Sequence, residues 1–337
     1  MNERTVDVAQ AGIANHGRTI LNAIREAGNL HLISCFDVNT RANQEVAREF
    51  GARAAPTFDD MVEDPTVGAV VLVTPNHLHF EQVWKAFTAR KHVFVEKPLA
   101  NTIAEARGML DLAMSTKLTL MVGHNTRRRQ VFRRAKALLD EGRIGRVVAV
   151  EANLSRPAGL QPGMPAWKAD PETCALLPMM QLGIHFVDTI HYLLGPVERV
   201  SCFATNIAMP NRVLDSTVAI LQLTSGIPVS LTSSYVSSDV YFVRIYGTEG
   251  TIQCHPLKLR LEVLEKGEYK EVQEEDFGGE GAGSYILEMR EFGECVLKGT
   301  KPETSGEEGL RALAVVEAMM RSIELRSAVD VESVLQR

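Results

Sequence analysis

Two short segments of this 337-residue chain combine residue types and spacings that could do chemistry. The first, Gly12-Ile-Ala14-Asn15-His16-Gly17, is a GxGxxG pattern with alanine at its second glycine position. In such a turn the first glycine permits a tight bend. The second position must be small so that backbone amides can approach a pyrophosphate, and the third glycine lets a helix pack closely. A helix opening there offers bare N–H groups and a partial positive charge to the anion. Asp37 stands 20 residues beyond Gly17. A carboxylate at that point accepts hydrogen bonds from an adenosine ribose and repels a 2′-phosphate, so NAD is expected rather than NADP. The second segment is Glu96-Lys97-Pro98, a lysine placed just past a buried apolar run. Open parallel sheets bind ligands at that edge, and the proline biases Lys97 towards extended backbone. An ammonium held there can stabilise negative charge developing on a reacting oxygen.

These residues need a doubly wound α/β frame, and the first 124 residues carry its pattern. Apolar runs at Val6–Ala11, Leu32–Phe36, Ala69–Val73, His92–Val95 and Leu118–Val122 read as buried parallel strands. Between them Arg18–Ala27, Arg41–Phe50, Leu78–Arg90 and Ile103–Ser115 are long enough for helices. Thr102-Ile-Ala-Glu105 is a capping box for the last of these. Strand–helix alternation predicts a Rossmann-type parallel sheet with helices on both faces, over residues 1–124.

The pattern changes after Gly123-His124-Asn125. Residues 125–337 are expected to form an α+β domain with an open, mostly antiparallel sheet. Strands are predicted at 147–154, 197–208, 216–224, 227–235, 241–246 and 257–264. Clean alternation in Ile227–Tyr235, with Val229, Leu231 and Tyr235 in one phase, indicates a single covered face. A helix at Val131–Glu141 precedes this sheet, and helices at 182–194, 284–298 and 306–325 are expected to cover it. The proline-rich stretch Arg156–Leu177 reads as a long loop, of the kind that tends to be functional.

Beyond these two segments, Thr74-Pro75-Asn76-His77-Leu78-His79, Gly123-His124-Asn125, Gly142-Arg-Ile-Gly145 and Gly183-Ile-His185-Phe-Val-Asp188 complete a set. Together they resemble the glucose-fructose oxidoreductase / inositol dehydrogenase / MocA family of NAD(P)-dependent oxidoreductases, over nearly the whole chain. The resemblance implies that Thr74, Asn76 and His79 lie along the cofactor and that Glu96 and Lys97 lie beside the nicotinamide. It also implies a bond before the proline that is commonly cis. Lys97 would contact the hydroxyl that is oxidised, and His185 would lie near that hydroxyl. Asp188 would face the substrate pocket or order its helix. The reaction so implied is reversible oxidation of a secondary alcohol on a sugar, cyclitol or derivative. Either Lys97 or His185 could be the base. The same family includes proteins that use bound NAD transiently to break or rearrange a bond, and a weakly catalytic NAD sensor is a further alternative. One departure is plain. Many sugar dehydrogenases of this family carry Asp-x-x-x-His, whereas this chain has Gln181-Leu-Gly-Ile-His185. An amide can hydrogen-bond an imidazole but cannot stabilise its cation by charge.

Several other residues have two readings. His16 is expected to lend its backbone amide to the cofactor. Asn125 ends a strand where it could reach nicotinamide or substrate, or serve a turn, and Trp167 could wall a sugar pocket or pack on the sheet. The basic run Arg127-Arg128-Arg129 with Arg133, Arg134 and Lys136 reads as a solvated helix face balanced by Glu271–Asp276, or as a site for an anionic substrate. No metal-ligand spacing is evident. Strand Thr217–Leu223 is apolar in both phases, and family members commonly pair such sheets, so a homodimer or homotetramer is expected.

Composition agrees with a small-molecule enzyme. Lys plus Arg number 36 against 42 Asp plus Glu, a formal charge of −6, which speaks against nucleic acid as a partner. No apolar run approaches the ~20 residues of a membrane helix. The N-terminal stretch has no signal-peptide core, and five scattered cysteines without CxxC spacing suit a reducing cytoplasm.

Overall fold

The structure, a computed structural model, describes residues 5–336. They form two compact units: residues up to 125 together with 282–310, and residues 126–281 together with those from 311 onwards. The first unit contains β1 (Val6–Ala11), α1 (His16–Ala27), β2 (Leu30–Phe36), α2 (Thr40–Phe50), β3 (Arg53–Ala54) and α3 (Phe58–Val62). Then come β4 (Ala69–Leu72), α4 (His79–Thr88), β5 (His92–Glu96), α5 (Ile103–Thr116) and β6 (Leu120–Gly123). The six strands are parallel in the order β3-β2-β1-β4-β5-β6. Strand order reverses between β1 and β4, which opens a crevice at the carboxyl ends of the strands. Every residue of β4 and β6 is buried, as the continuous apolar runs require. Glu105 N–H donates to Thr102 Oγ1 and Thr102 N–H to Glu105, so the capping box forms as read. The short β3 and α3 have too few residues to set up a period and escaped the sequence pattern.

In the second unit α6 (Gln130–Asp140) leads to β7 (Val147–Ser155), and α7 (Ile184–Leu194) to β8 (Val197–Thr205), β9 (Ser216–Leu223) and β10 (Pro228–Ser234). Next come β11 (Val240–Gly247), β12 (Gly250–Cys254), β13 (Lys258–Glu265) and β14 (Glu268–Asp276). After β14 come α8 (Gly283–Lys298), which belongs to the first unit, then α9 (Gly306–Leu325), β15 (Val329–Asp330) and α10 (Glu332–Leu335). Nine strands run β14-β13-β12-β11-β7-β10-β9-β8-β15, antiparallel except where β7 meets β10. Phe132, Phe186 and Tyr241 pack α6, α7 and β11 together, the Phe186 and Tyr241 rings meeting edge to face at 4.9 Å. Strand β14 was missed because it is charged and mostly exposed. Cross-strand pairs hold it, such as Arg260 with Glu274 at 2.6 Å.

One helix expected to cover the antiparallel sheet packs elsewhere. Helix α8 does not cover the antiparallel sheet but belongs to the first unit. Its Met289 and Phe292 join the core formed by Val8, Ile20 and Phe94, with the Phe94 and Phe292 rings at 5.8 Å. Asn29 donates to the Arg290 carbonyl at 2.8 Å. An apolar helical stripe specifies that a helix is buried, not which sheet it is buried on. Among the described residues no helix is long and apolar enough to cross a membrane.

Candidate active site

The glycine loop joins β1 to α1 and is braced from beneath. Gln10, buried in β1, donates through Nε2 to the carbonyls of Gly12 and Gly17, both at 2.8 Å. Gly12 has φ +80°, and a side chain there would meet the Val73 carbonyl oxygen at 2.3 Å. A Cβ on Gly17 would meet the Gly12 carbonyl oxygen at 2.2 Å, so both glycines are sterically required. Ala14 and Asn15 are exposed. Asn15 precedes α1 without a side-chain bond to it, and no acidic residue occupies the first turn. An uncapped helix start with no opposing charge fits a dinucleotide pyrophosphate. Asp37 stands beside this loop, with Oδ2 accepting from Ile13 N–H at 3.1 Å and Oδ1 from Asn39 N–H at 2.9 Å. It therefore serves both as a turn residue and as an anchor of the loop. Two acceptor oxygens with about four lone-pair sites leave it able to take a ribose hydroxyl as well. Gln10 was not anticipated; a lone amide in an apolar strand just before the motif was the available signal.

At the ends of β4 and β5 the TPNxxH and EKP segments are tied together. Thr74 Oγ1 donates to Gln82 Oε1 at 2.5 Å, and Asn76 donates to Asn101. His79, 1% exposed, has Nδ1 2.9 Å from the Pro98 carbonyl and Nε2 3.0 Å from the Thr74 carbonyl. Burial pushes its pKa down against the opposing pull of those carbonyls and of the Glu96 charge. With its two ring nitrogens beside backbone carbonyls, His79 ties the two segments together. The Lys97–Pro98 bond is cis, and Lys97 is partly exposed at the carboxyl end of β5. Glu96 is 5% exposed, its Oε1 2.9 Å from His16 Nε2 and its Oε2 accepting from Lys97 N–H at 3.2 Å. Burial favours its neutral form, but His16 and Lys97 together hold the carboxyl below the usual carboxylate range. Asn125 is buried and donates to Ser284 Oγ at 3.1 Å, which makes it a link to the start of α8.

In the second unit, Arg127 and Asp188 form a buried bidentate pair, 4% and 1% exposed. Arg127 Nε donates to Oδ2 at 2.9 Å and Nη2 to Oδ1 at 2.5 Å. The pair ties Asp188 of α7 to the segment that precedes α6. The pair also corrects the reading of the basic run, since Arg127 and Arg128 are buried rather than solvated. With Arg127 engaged by Asp188, the reading as an anionic-substrate site loses that guanidinium as well. Only the outer part of the run behaves as a surface face, with Arg134 on Glu275 at 2.7 Å. His185 lies in the first turn of α7, its Nδ1 3.1 Å from Thr126 Oγ1. The segment ahead of it, Met179–Gly183, is a π-helical turn. From that turn Gln181, buried, donates to Cys174 Sγ at 3.8 Å. Thr126 was not anticipated, because nothing in a lone threonine 59 residues upstream marks it. Trp167 sits in a short 3₁₀ turn, with the Lys168 ammonium 5.2 Å from its ring centre. All five cysteines are free and buried.

Comparison with known proteins agrees with this architecture. Residues 6–124 match the oxidoreductase family with NAD-binding Rossmann fold, and residues 132–253 match the GFO/IDH/MocA C-terminal domain. Inositol 2-dehydrogenase of Rhizobium meliloti (strain 1021) is 26% identical over 337 residues, 97% of this chain and 99% of that protein. The 1,5-anhydro-D-fructose reductase of Ensifer adhaerens is 25% identical over 319 residues, 93% and 95% of the two chains. A levoglucosan dehydrogenase solved with NADH and levoglucosan superposes with a TM-score of 0.90 at 22% identity, covering 97% of this chain and 100% of that one. Two family domains in sequence, on a fold with the glycine loop and Lys97 at the carboxyl edge of its parallel sheet, place the chain in the GFO/IDH/MocA family of NAD(P)-dependent oxidoreductases.

Proposed function

We propose that this chain oxidises a secondary alcohol of a sugar, cyclitol or derivative, reversibly, with NAD preferred over NADP. The observation that carries the reading is Lys97 at the carboxyl end of β5, in the same unit as a glycine loop suited to a pyrophosphate. The nicotinamide, when bound, supplies the hydride acceptor. Ala14, Asn15 and His16 offer backbone amides to the pyrophosphate, Gly12 and Gly17 shape the turn that brings it close, and Asp37 takes the adenosine ribose. Thr74, Asn76 and His79 lie along the cofactor, and Glu96 lies beside the nicotinamide. Lys97 donates to the reacting oxygen and stabilises the charge that builds as the C–H bond breaks. His185 accepts the hydroxyl proton, its ring positioned by Thr126 at Nδ1. Trp167 and Gln181 are assigned to the substrate side, with Asp188 acting through the helix it orders.

We also assign a homo-oligomer joined sheet to sheet. Alternate residues of β9 bury Ala219, Leu221 and Leu223 and expose Val218 and Ile220. Val218 pairs with Phe203 of β8, which is 76% exposed. Monomers by light scattering at micromolar concentration would refute this assignment. The activity is tested by screening sugars, polyols and sugar nucleotides for NADH formation. Net NADH from one alcohol class supports the reading. Product without net NADH would favour transient use of the cofactor, and tight NADH binding with no turnover would favour a sensor.

A further inference from the structure

A pocket of about 280 Å³ lies at the amino-terminal edge of the parallel sheet, where His92 starts β5 and Leu120 starts β6. Every residue that lines it belongs to the first unit. Lys97 follows the opposite end of β5, roughly 16 Å from His92 at the rise of an extended strand, so this pocket is not the crevice described above. It is preformed. The loop between α8 and α9 that supplies Thr300, Lys301 and Ser305 to it is fixed to β6, Ser305 bridging Met121 and the Thr304 carbonyl accepting from Val122 N–H at 2.8 Å. Leu110, Ala113, Leu118 and Pro302 give the pocket apolar surface, and Met114, 66% exposed, stands among them. Its formal charges are Lys117, Lys301 and Glu307. Glu307 is held within the protein, Oε1 3.2 Å from Lys301 Nζ and Oε2 accepting from Ser305 Oγ at 2.6 Å. Burial opposes its charge, yet the Ser305 hydroxyl, its own backbone N–H and Lys301 keep its pKa below the usual glutamate range. Two ammonium groups against one carboxylate leave a single positive charge in surplus. Lys117 ends α5 with φ 58°, left-handed backbone where glycine is the usual residue. Thr119 N–H donates to His92 Nδ1 at 3.0 Å, so the neutral ring carries its proton on Nε2, and burial lowers its pKa and keeps it neutral at pH 7.

We propose that this pocket binds a small monocarboxylate with an apolar body, its oxygens met by Lys117, Lys301 and His92 Nε2 and its hydrocarbon laid on Leu110, Ala113 and Pro302. A monoanion matches the surplus charge. A phosphate dianion exceeds it and would lie beside Glu307, and a neutral alcohol would leave the ammonium groups without a counter-charge. The inference does not depend on the activity proposed above.

Hexanoate is the probe, titrated calorimetrically into the full-length protein with NADH present. It should bind one to one, about tenfold or more tighter than acetate, which lacks the apolar body, and than 1-hexanol, which lacks the charge. Lys117→Glu and Lys301→Glu, both at exposed positions, should each weaken hexanoate about tenfold or more by reversing a charge beside it. Lys266→Glu, an exposed lysine between β13 and β14, should leave binding unchanged. Absence of saturable binding, parent-like affinity in the Lys117 and Lys301 variants, or an equal loss in Lys266→Glu would overturn the proposal. So would inorganic phosphate, acetate or 1-hexanol binding as tightly as hexanoate.

Discussion

In the first unit the groups suited to an anion are backbone amides presented by a turn, whereas in the second the candidate groups are side chains oriented by other side chains. The glycine loop depends on three small residues at fixed spacing and one buried amide beneath them, Gln10. His185 and Asp188 depend on Thr126 and Arg127, which lie 59 and 61 residues upstream. A site carried by backbone is written as spacing, while one carried by side-chain pairing across distant segments is written only as composition. The first kind also tolerates changes in neighbouring side chains. The second should fail when either partner is lost.

The strongest way to break this contrast is the buried ion pair. Arg127→Met removes the guanidinium that pairs bidentately with the buried Asp188 carboxylate, and should lower stability by about 3–5 kcal/mol in denaturant unfolding. Adding Asp188→Leu should recover much of that loss. A single variant as stable as the parent would show that α7 does not rely on the pair.

Lys97→Ala tests the first unit. On an authentic alcohol substrate kcat should fall on the order of 10²–10³, while NADH binding followed by fluorescence barely changes. Unaltered turnover would remove Lys97 from the chemistry.

Asp215 offers an intermediate effect in the second unit. Its buried carboxylate accepts the amides of Ile207, Ala208 and Met209 at 2.8–3.1 Å. Burial opposes the charge, but the amides of Ala208, Met209 and Ile207 and the Ser216 hydroxyl hold its pKa below the usual aspartate range. A depressed folded pKa means the stabilisation is complete above an unfolded value of about 3.9 and is lost as pH falls through the folded value. Asp215→Ala should cost about 2–3 kcal/mol at neutral pH, and the gap in melting temperature should close in acid. A gap independent of pH would contradict this assignment.

The smallest effect expected is on cofactor choice. Asp37→Ala should narrow the preference for NAD over NADP by about tenfold, roughly the worth of one hydrogen bond to a charged group. Since Asp37 also anchors Ile13, some loss of affinity for both cofactors should accompany it. If titration finds the unsubstituted protein binding NADP as tightly as NAD, the assignment of Asp37 fails.

Sequence periodicity located most elements of the parallel sheet because buried strands are apolar throughout and helices between them are long. It missed β12, β14 and the two-residue β15 in the second sheet. Five residues are too few to show a period in β12, and β14 is held by ion pairs rather than by an apolar face. The glycine loop, Asp37, the capping box at Thr102 and the lysine at the end of β5 were legible because each depends on neighbours in the chain. His79 was legible as a motif residue, but the two backbone carbonyls beside its ring were not, because they come from segments that only the fold brings together.

What the sequence by itself determined is therefore the family, the parallel frame and the turn at which a dinucleotide fits, all consequences of local spacing and alternation. Tertiary structure alone decided the sheet on which α8 packs, that Arg127 is buried against Asp188, and that His16 turns its ring onto Glu96. Those outcomes depend on which surfaces and charges meet across tens to hundreds of residues. A chain position specifies what a side chain can bond to, and only the fold specifies which partner is within reach.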